Sequence, residues 1–236
     1  MIDLPPDAYD AIRITLRVAC WATIGSLPIG ILVAWLLARC RFPGKFLLNA
    51  LVHLPLVLPP VVTGYALLLL LGRRGLLGGF LADSFGIVLA FRWTGAAVAA
   101  AVMAFPLMVR AIRLSLEAID PRLESAARTL GAAPGWVFLT VTLPLALPGV
   151  VAGMVICFAK SLGEFGATIT FVSAIPGETR TLSAAIYAAT QTPGAEPTAL
   201  LLSLVAVVLS FGALLLSDLL ARAVARRVAQ HGGLPA

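Results

Sequence analysis

The sequence predicts an all-α integral membrane protein with about five transmembrane helices, and two observations carry this prediction. Apolar residues make up 60% of the 236 residues and charged residues only 12%, with a mean hydropathy of +1.01. A soluble domain carries roughly a quarter charged residues. Several long windows contain no Asp, Glu, Lys or Arg, and a helix needs about 20 mostly apolar residues to cross a bilayer.

These windows place the spans at about 14–38, 50–72, 87–109, 143–168 and 197–218. The third window is short, and it extends back to residue 87 if Arg92 snorkels to the interface. The second span contains three prolines, which predict either a kink that lets helices pack or a broken helix beside a pathway. No linker composition or fixed-period repeat divides the chain, so residues 1–236 form a single transmembrane domain.

The distribution of Lys and Arg predicts the orientation of the chain. Ten of them lie in the connections on one side of the spans: Arg39, Arg41, Lys45, Arg110, Arg113, Arg122, Arg128, Arg222, Arg226 and Arg227. Five lie on the other side: Arg13, Arg17, Arg73, Arg74 and Arg180. Because basic residues accumulate in cytoplasmic connections, we expect the N-terminus outside and the C-terminus in the cytoplasm.

The inner connection, about 110–142, contains signals for a short capped helix. Asp120 is a good N-cap residue, Pro121 suits the first helical position, and Gly131 suits a left-handed end. One face of this helix carries a stripe of four apolar residues: Leu123, Ala126, Ala127 and Leu130. Half of the stripe is alanine, which favours docking against a protein over lying on a lipid surface.

The same segment resembles a known motif. It contains Ser125-Ala126-Ala127, then three residues, Gly131, nine residues and Val141-Thr142-Leu143-Pro144. This pattern is similar to the "EAA" loop of the permease subunits of ATP-binding-cassette importers. That loop reads Glu-Ala-Ala, three residues, Gly, nine residues and Ile-x-Leu-Pro. Ser125 replaces the family's Glu, and Glu124 offers a carboxylate one residue earlier. The resemblance implies the type I importer permease fold and a coupling helix that docks in a groove of a separate ATPase subunit. The residues it assigns to ATPase coupling are Arg122, Glu124, Ser125, Ala126, Ala127, Gly131, Leu143 and Pro144.

The chain itself lacks a nucleotide-binding motif. Its single Gly-Lys pair, Gly44-Lys45, is followed by Phe46 and has Arg39 where a phosphate-binding loop needs its first glycine. The three cysteines and two histidines show no metal-ligand spacing. We therefore expect a protein that is not an enzyme and has no cofactor, no metal site and no nucleic-acid partner.

A second polar group, in "KSLGEFGATITF", lies near the end of the fourth span. Lys160 and Glu164 are four residues apart, share a helix face and can pair, which lowers the cost of charge in a membrane. One interpretation, slightly favoured, is a structural pair near the interface. The other is a group that lines an anion translocation path.

The string "GEFGA" resembles the permeases for tetrahedral oxyanions. Together with "LPLVLPPVVTGYALLLLLGRRG" and "IPGETRTL", the likeness over about residues 46–195 is greatest to the molybdate permeases. It implies a bacterial inner (plasma) membrane location, a second permease copy in a homodimer, and an external substrate-binding protein that Glu178 and Arg180 could contact. Sulfate/thiosulfate and tungstate permeases are the alternatives. An ion-coupled secondary transporter is less favoured, because the spans offer almost no relay charges.

Overall fold

The computed structural model describes residues 6–231, and the regular elements in that range are all helices. In chain order they are α1 (Pro6–Arg39), α2 (Lys45–Val57), α3 (Pro60–Leu71), α4 (Leu76–Phe85), α5 (Trp93–Glu117), α6 (Pro121–Thr129), α7 (Pro134–Val137), α8 (Leu143–Leu162), α9 (Gly166–Val172), α10 (Leu182–Thr190) and α11 (Glu196–His231). A π-helical segment, Phe138–Thr142, joins α7 to α8 without a break. The predicted all-α class is confirmed.

Within the described residues, four helical runs are long and apolar enough to cross a membrane, and the bent pair α2–α3 is a fifth candidate. The four are Ala8–Arg39, Trp93–Glu117, Pro134–Leu162 and Glu196–Leu216. The side chains of Arg222, Arg226 and Arg227, which contributed to the predicted orientation, lie outside the described residues.

Several predicted span boundaries differ from the helices: α1 begins at Pro6 rather than 14, α8 ends at Leu162 rather than 168, and both ends of the third span shift. α5 begins at Trp93 rather than at residue 87, because Phe91 has a φ of 59° and Arg92 is the extended N-cap residue. Arg92 is thus exposed ahead of the helix instead of lying inside it. At the other end α5 continues to Glu117, so residues 110–117 are helix rather than connecting loop.

The prolines of the second predicted span break it. α2 and α3 meet at a bend of 117°, with Leu58 and Pro59 between them. Proline lacks the N–H that would continue the α2 hydrogen-bond ladder, so a break at this point follows from the chemistry of the residue. α3 then packs on α9, where a Cβ added to Gly64 would lie 2.5 Å from the carbonyl oxygen of Ala167.

α5 is the central helix, and small residues let its neighbours approach. Its buried face contains five alanines and packs against α1, α8 and α9. On α8, a Cβ added to Gly149 would overlap the side chain of Ser115 on α5, and one added to Gly153 would lie 3.0 Å from the carbonyl oxygen of Met108. Close packing over small residues is the usual way in which membrane helices associate.

Candidate functional site

α6 has the predicted caps. The carboxylate of Asp120 accepts a hydrogen bond from the backbone N–H of Arg122 at 2.9 Å, and Pro121 is the first helical residue. Beyond the last turn, Gly131 has a φ of 87°, a left-handed conformation that glycine adopts without strain. α6 is therefore a discrete nine-residue helix that is defined by its own sequence.

Within the described residues, nothing covers most of the apolar stripe of α6. No residue of α6 is buried, and Leu123 and Leu130 are 49% and 89% exposed. Ala126 is exposed as well, whereas Ala127 is half-buried. Ser125 is exposed, and its hydroxyl donates to the carbonyl oxygen of Pro121 at 3.1 Å. This face is open to a partner.

Glu124, in contrast, points into the chain. Its Oε1 lies 3.3 Å from Nε of Arg39, the last residue of α1, and accepts a hydrogen bond from the hydroxyl of Thr142 at 2.9 Å. Nη2 of Arg39 also donates to the carbonyl oxygen of Ile119 at 3.0 Å. These contacts turn the carboxylate toward α1 and the π-helical segment, and a contact of Glu124 with the ATPase stays a prediction. Arg122 and Arg128, the other charged residues of α6, are exposed.

A continuous helical run follows the short connection after α6. Pro134 begins a helical run that passes through the π-helical segment into α8 and ends at Leu162. Leu143 and Pro144, the end of the motif, are half-buried at the start of α8. A displacement of α6 would therefore act on α8 through a short connection, residues 130–133.

A cleft of about 340 Å³ lies between this run and α1. Its lining includes residues from α1 and α6 and from the run that begins at Pro134, notably Trp35, Glu124, Arg128, Phe138 and Thr142. The rings of Trp35 and Phe138 meet edge to face with their centroids 5.9 Å apart. The sequence did not identify Arg39 or Thr142 as a partner of Glu124, since no spacing rule relates either residue to it.

Lys160 and Glu164 pair as predicted, but not on one helix face: α8 ends at Leu162, short of the predicted 168, and Glu164 lies in the break before α9. Nζ of Lys160 donates to Oε2 of Glu164 at 3.1 Å, and Oε1 accepts the backbone N–H of Ala167 at 3.1 Å. The Glu164 side chain is 2% exposed and the Lys160 side chain 37%. The carboxylate thus caps the N-terminus of α9 while it holds the ammonium group.

Glu178 and Arg180 lie in a tight connection between α9 and α10. Glu178 is exposed and Arg180 is half-buried. Thr179 between them is buried, and its hydroxyl accepts the N–H of Ile175 at 2.9 Å and donates to the carbonyl oxygen of Ser173 at 3.1 Å. α10 meets α1 near Thr15, whereas α6 meets α1 at Arg39. At 1.5 Å per residue these contacts are about 36 Å apart along the helix, so the two candidate surfaces lie at opposite ends.

Comparison with known families decides the class of protein. Residues 26–230 match the family described as "Binding-protein-dependent transport system inner membrane component". This chain belongs to that family. It is accordingly a multi-pass transport permease of the inner membrane, and the predicted importer-permease class is confirmed.

Individual relatives of this inner membrane component carry names that refer to molybdenum or to sulfate. The chain is 59% identical over 214 residues to the Molybdenum transport system permease protein ModB of Escherichia coli (strain K12), which covers 91% of this chain and 93% of the relative. It is 56% identical over 220 residues to the protein of the same name from Haemophilus influenzae, at 93% and 96% coverage. The Sulfate transport system permease protein CysT of Escherichia coli is 41% identical over 182 residues, at 77% and 65% coverage.

Solved structures confirm the fold. A bacterial ABC transporter that imports the acidic polysaccharide alginate matches with a TM-score of 0.73 at 17% identity, covering 92% of this chain and 80% of that one. The MetNI methionine ABC transporter matches with a TM-score of 0.65 at 20% identity, covering 92% and 94%. The type I ABC importer permease fold of this inner membrane component is thus confirmed.

Proposed function

We propose that this chain is the membrane-spanning subunit of an ATP-driven importer of molybdate, driven by a separate ATPase that docks on α6. The observation that carries the proposal is the uncovered apolar face of α6 on a chain with no nucleotide-binding motif of its own. A capped helix that leaves Leu123 and Leu130 exposed to this degree is expected to bury them against a partner. Membership in a family of binding-protein-dependent systems favours this function over ion-coupled secondary transport.

The substrate rests on the relatives. Two chains named as molybdenum permeases reach 56% to 59% identity with more than nine-tenths of each chain covered, against 41% for a sulfate permease over a shorter stretch. Molybdate is therefore favoured over sulfate or thiosulfate. Tungstate is a tetrahedral dianion like molybdate, so the uptake experiment must distinguish transport of tungstate from transport of molybdate.

For the assembly we propose a homodimer of this chain, with the α6 end in the cytoplasm and the opposite end facing an external binding protein. α11 supports the dimer, because its span is largely uncovered within one chain: leucines 200, 204, 214, 215 and 216 are between 52% and 64% exposed. Lipid covers whatever part of these faces the second copy leaves. At the opposite end, Glu178 and Arg180 are the candidate contacts for the binding protein.

Site-directed crosslinking tests the two docking surfaces. In a variant with Cys20, Cys40 and Cys157 replaced by alanine, Ala126→Cys should crosslink to the co-expressed ATPase and Glu178→Cys to the substrate-binding protein. Each position is the control for the other, since both are exposed and they lie at opposite ends of the bundle. Crosslinking of Ala126→Cys to the binding protein would contradict the assigned orientation, and no ATPase crosslink would contradict the docking role.

Uptake tests the substrate. A deletion strain complemented with this chain, its ATPase and its binding protein should accumulate radiolabelled molybdate in an ATP-dependent manner. A tenfold excess of unlabelled tungstate or sulfate then measures selectivity. Stronger suppression by sulfate than by the same excess of unlabelled molybdate would assign the chain to sulfate transport instead.

A further inference from the structure

The Glu124 side chain links three parts of the chain that are distant in sequence. It joins α6 to the last residue of α1 through Arg39 and to the π-helical segment through Thr142. The side chains of Arg39 and Glu124 are only 16% and 13% exposed, and Thr142 is 2% exposed. Partial burial makes such an ion pair much less sensitive to solvent screening than a surface pair.

Arg39 is placed to act on more than one element. Besides the Glu124 carboxylate it holds the carbonyl oxygen of Ile119, in the turn where α5 ends and α6 begins. Its charge lies in the last turn of α1, and that of Glu124 in the first turn of α6. Both positions are favoured by the helix dipoles. The two residues therefore form an ion pair, without a hydrogen bond between Nε and the carboxylate, at the junction of α1, α5 and α6.

The cleft beside the Arg39–Glu124 pair leaves few other contacts there between α1 and the α6 region. α6 packs on α7 and on the π-helical segment, while the cleft of about 340 Å³ separates this region from the α1 residues Pro28 to Trp35. Apolar packing between α1 and the α6 region is thus incomplete next to the pair. The side chain of Glu124 bridges α6 and α1 across the edge of this cleft.

We propose that Arg39 and Glu124 are positioning residues that carry movement of α6 to α1, in parallel with the covalent connection through which α6 moves α8. The inference rests on the proposed function, since it concerns how an ATPase docked on α6 acts on the spans. Glu124 then works within this chain rather than as a contact to the ATPase, and the exposed Ser125 beside it faces the partner. Two membrane helices, α1 and α8, then move together with α6.

The test uses the complete transporter in proteoliposomes, with Arg39→Met, Glu124→Gln and the double variant. Glu124→Gln keeps the shape and the acceptor for Thr142 and removes only the charge. The matched control is Glu117→Gln, which removes a 2.7 Å pair with Arg113 at the same end of the bundle but within one helix. The readouts are molybdate imported per ATP hydrolysed, and the rate at which Cys40, the residue after Arg39, reacts with a maleimide in a background lacking Cys20 and Cys157.

We expect import per ATP to fall at least tenfold in both single variants, with the double variant no worse than the poorer single one, because the two residues act as one unit. Glu117→Gln should stay within twofold of the wild type. Crosslinking of Ala126→Cys to the ATPase should persist in the pair variants, which separates lost transmission from lost docking. A double variant that shows the sum of two independent losses, or pair variants with the wild-type ratio, would overturn the proposal.

Cys40 labelling does not depend on the substrate. A non-hydrolysable ATP analogue should change its rate several-fold in the wild type and in Glu117→Gln, and the change should disappear in Arg39→Met and Glu124→Gln. No nucleotide effect in the wild type, or an effect retained by the pair variants, would show that α1 does not follow α6 through this pair. Failure of molybdate uptake by the wild type would instead contradict the proposed substrate. The Cys40 labelling rates would still report whether α1 moves with α6.

Discussion

Removal of the Lys160 charge should destabilise the protein more than removal of the Glu164 charge. Glu164 is 2% exposed and depends on Lys160 and the N–H of Ala167, so Lys160→Met leaves a buried carboxylate with one partner. Breaking a buried pair from one side costs about 3–5 kcal/mol. Because Lys160 is 37% exposed, solvent screens part of this pair, and about 2–3 kcal/mol is the better expectation.

Glu164→Gln leaves no buried charge without a partner. A glutamine still accepts from Ala167, and a Lys160 side chain with this exposure can turn its ammonium group toward water, so the loss should be about 1 kcal/mol. The double variant Lys160→Met/Glu164→Gln leaves no buried charge and should recover most of the loss seen in Lys160→Met. Reversible unfolding of the purified permease in mixed micelles with increasing dodecyl sulfate measures all three free energies.

The double variant also separates the two interpretations of the pair. If Lys160 and Glu164 only cap α9 and neutralise each other, molybdate uptake should recover together with stability. If Lys160 lines the anion path, uptake should stay low in a double variant that is as stable as the wild type. Equal destabilisation by Lys160→Met and Glu164→Gln would refute the reasoning from burial itself.

Three further predictions follow from single positions. Gly131→Val forces a side chain into the left-handed region at a cost of about 1–2 kcal/mol, so amide exchange in the last turn of α6 should accelerate and uptake should fall, whereas Gly131→Asn should be milder. Gly149→Ala places a methyl group against a serine side chain of α5 and should cost about 1–3 kcal/mol of unfolding free energy, while Gly163→Ala, with no atom within 4 Å of the added Cβ, should be near neutral. Thr15→Val removes the acceptor that holds the N–H of Leu182 at 2.7 Å and should cost about 1–3 kcal/mol in the same assay, and Thr15→Ser should restore most of it.

The parts of the fold that depend on local chemistry could be predicted from the sequence. Uncharged windows located the spans because lipid excludes charge over a length fixed by the bilayer. The caps of α6 could be predicted because Asp120 and Gly131 act on backbone groups within a few residues. The three prolines of the second span predicted either a kink or a broken helix, and the 117° bend at Leu58–Pro59 shows the broken form, with α3 packed on α9.

The start of α5 and the orientation of Glu124 show where local rules fail. The hydropathy of residues 87–92 suits a span, yet the positive φ of Phe91 turns the chain before Trp93. Glu124 fits either outward or inward orientations by periodicity alone. Its inward orientation depends on Arg39, which is 85 residues earlier and is brought next to α6 only by the packing of α1 and α8 around α5.

The two connections of α6 also differ in what they can transmit. A helix attached only through residues 130–133 could swing about that connection, so a push from a docked partner would be partly lost as rotation of α6. A second attachment through Glu124, displaced from the first and fixed at Arg39, removes much of this freedom. The chain thus combines an exposed surface that a partner can hold with two anchors that lead to different membrane helices, and loss of the ionic anchor should weaken coupling while docking persists.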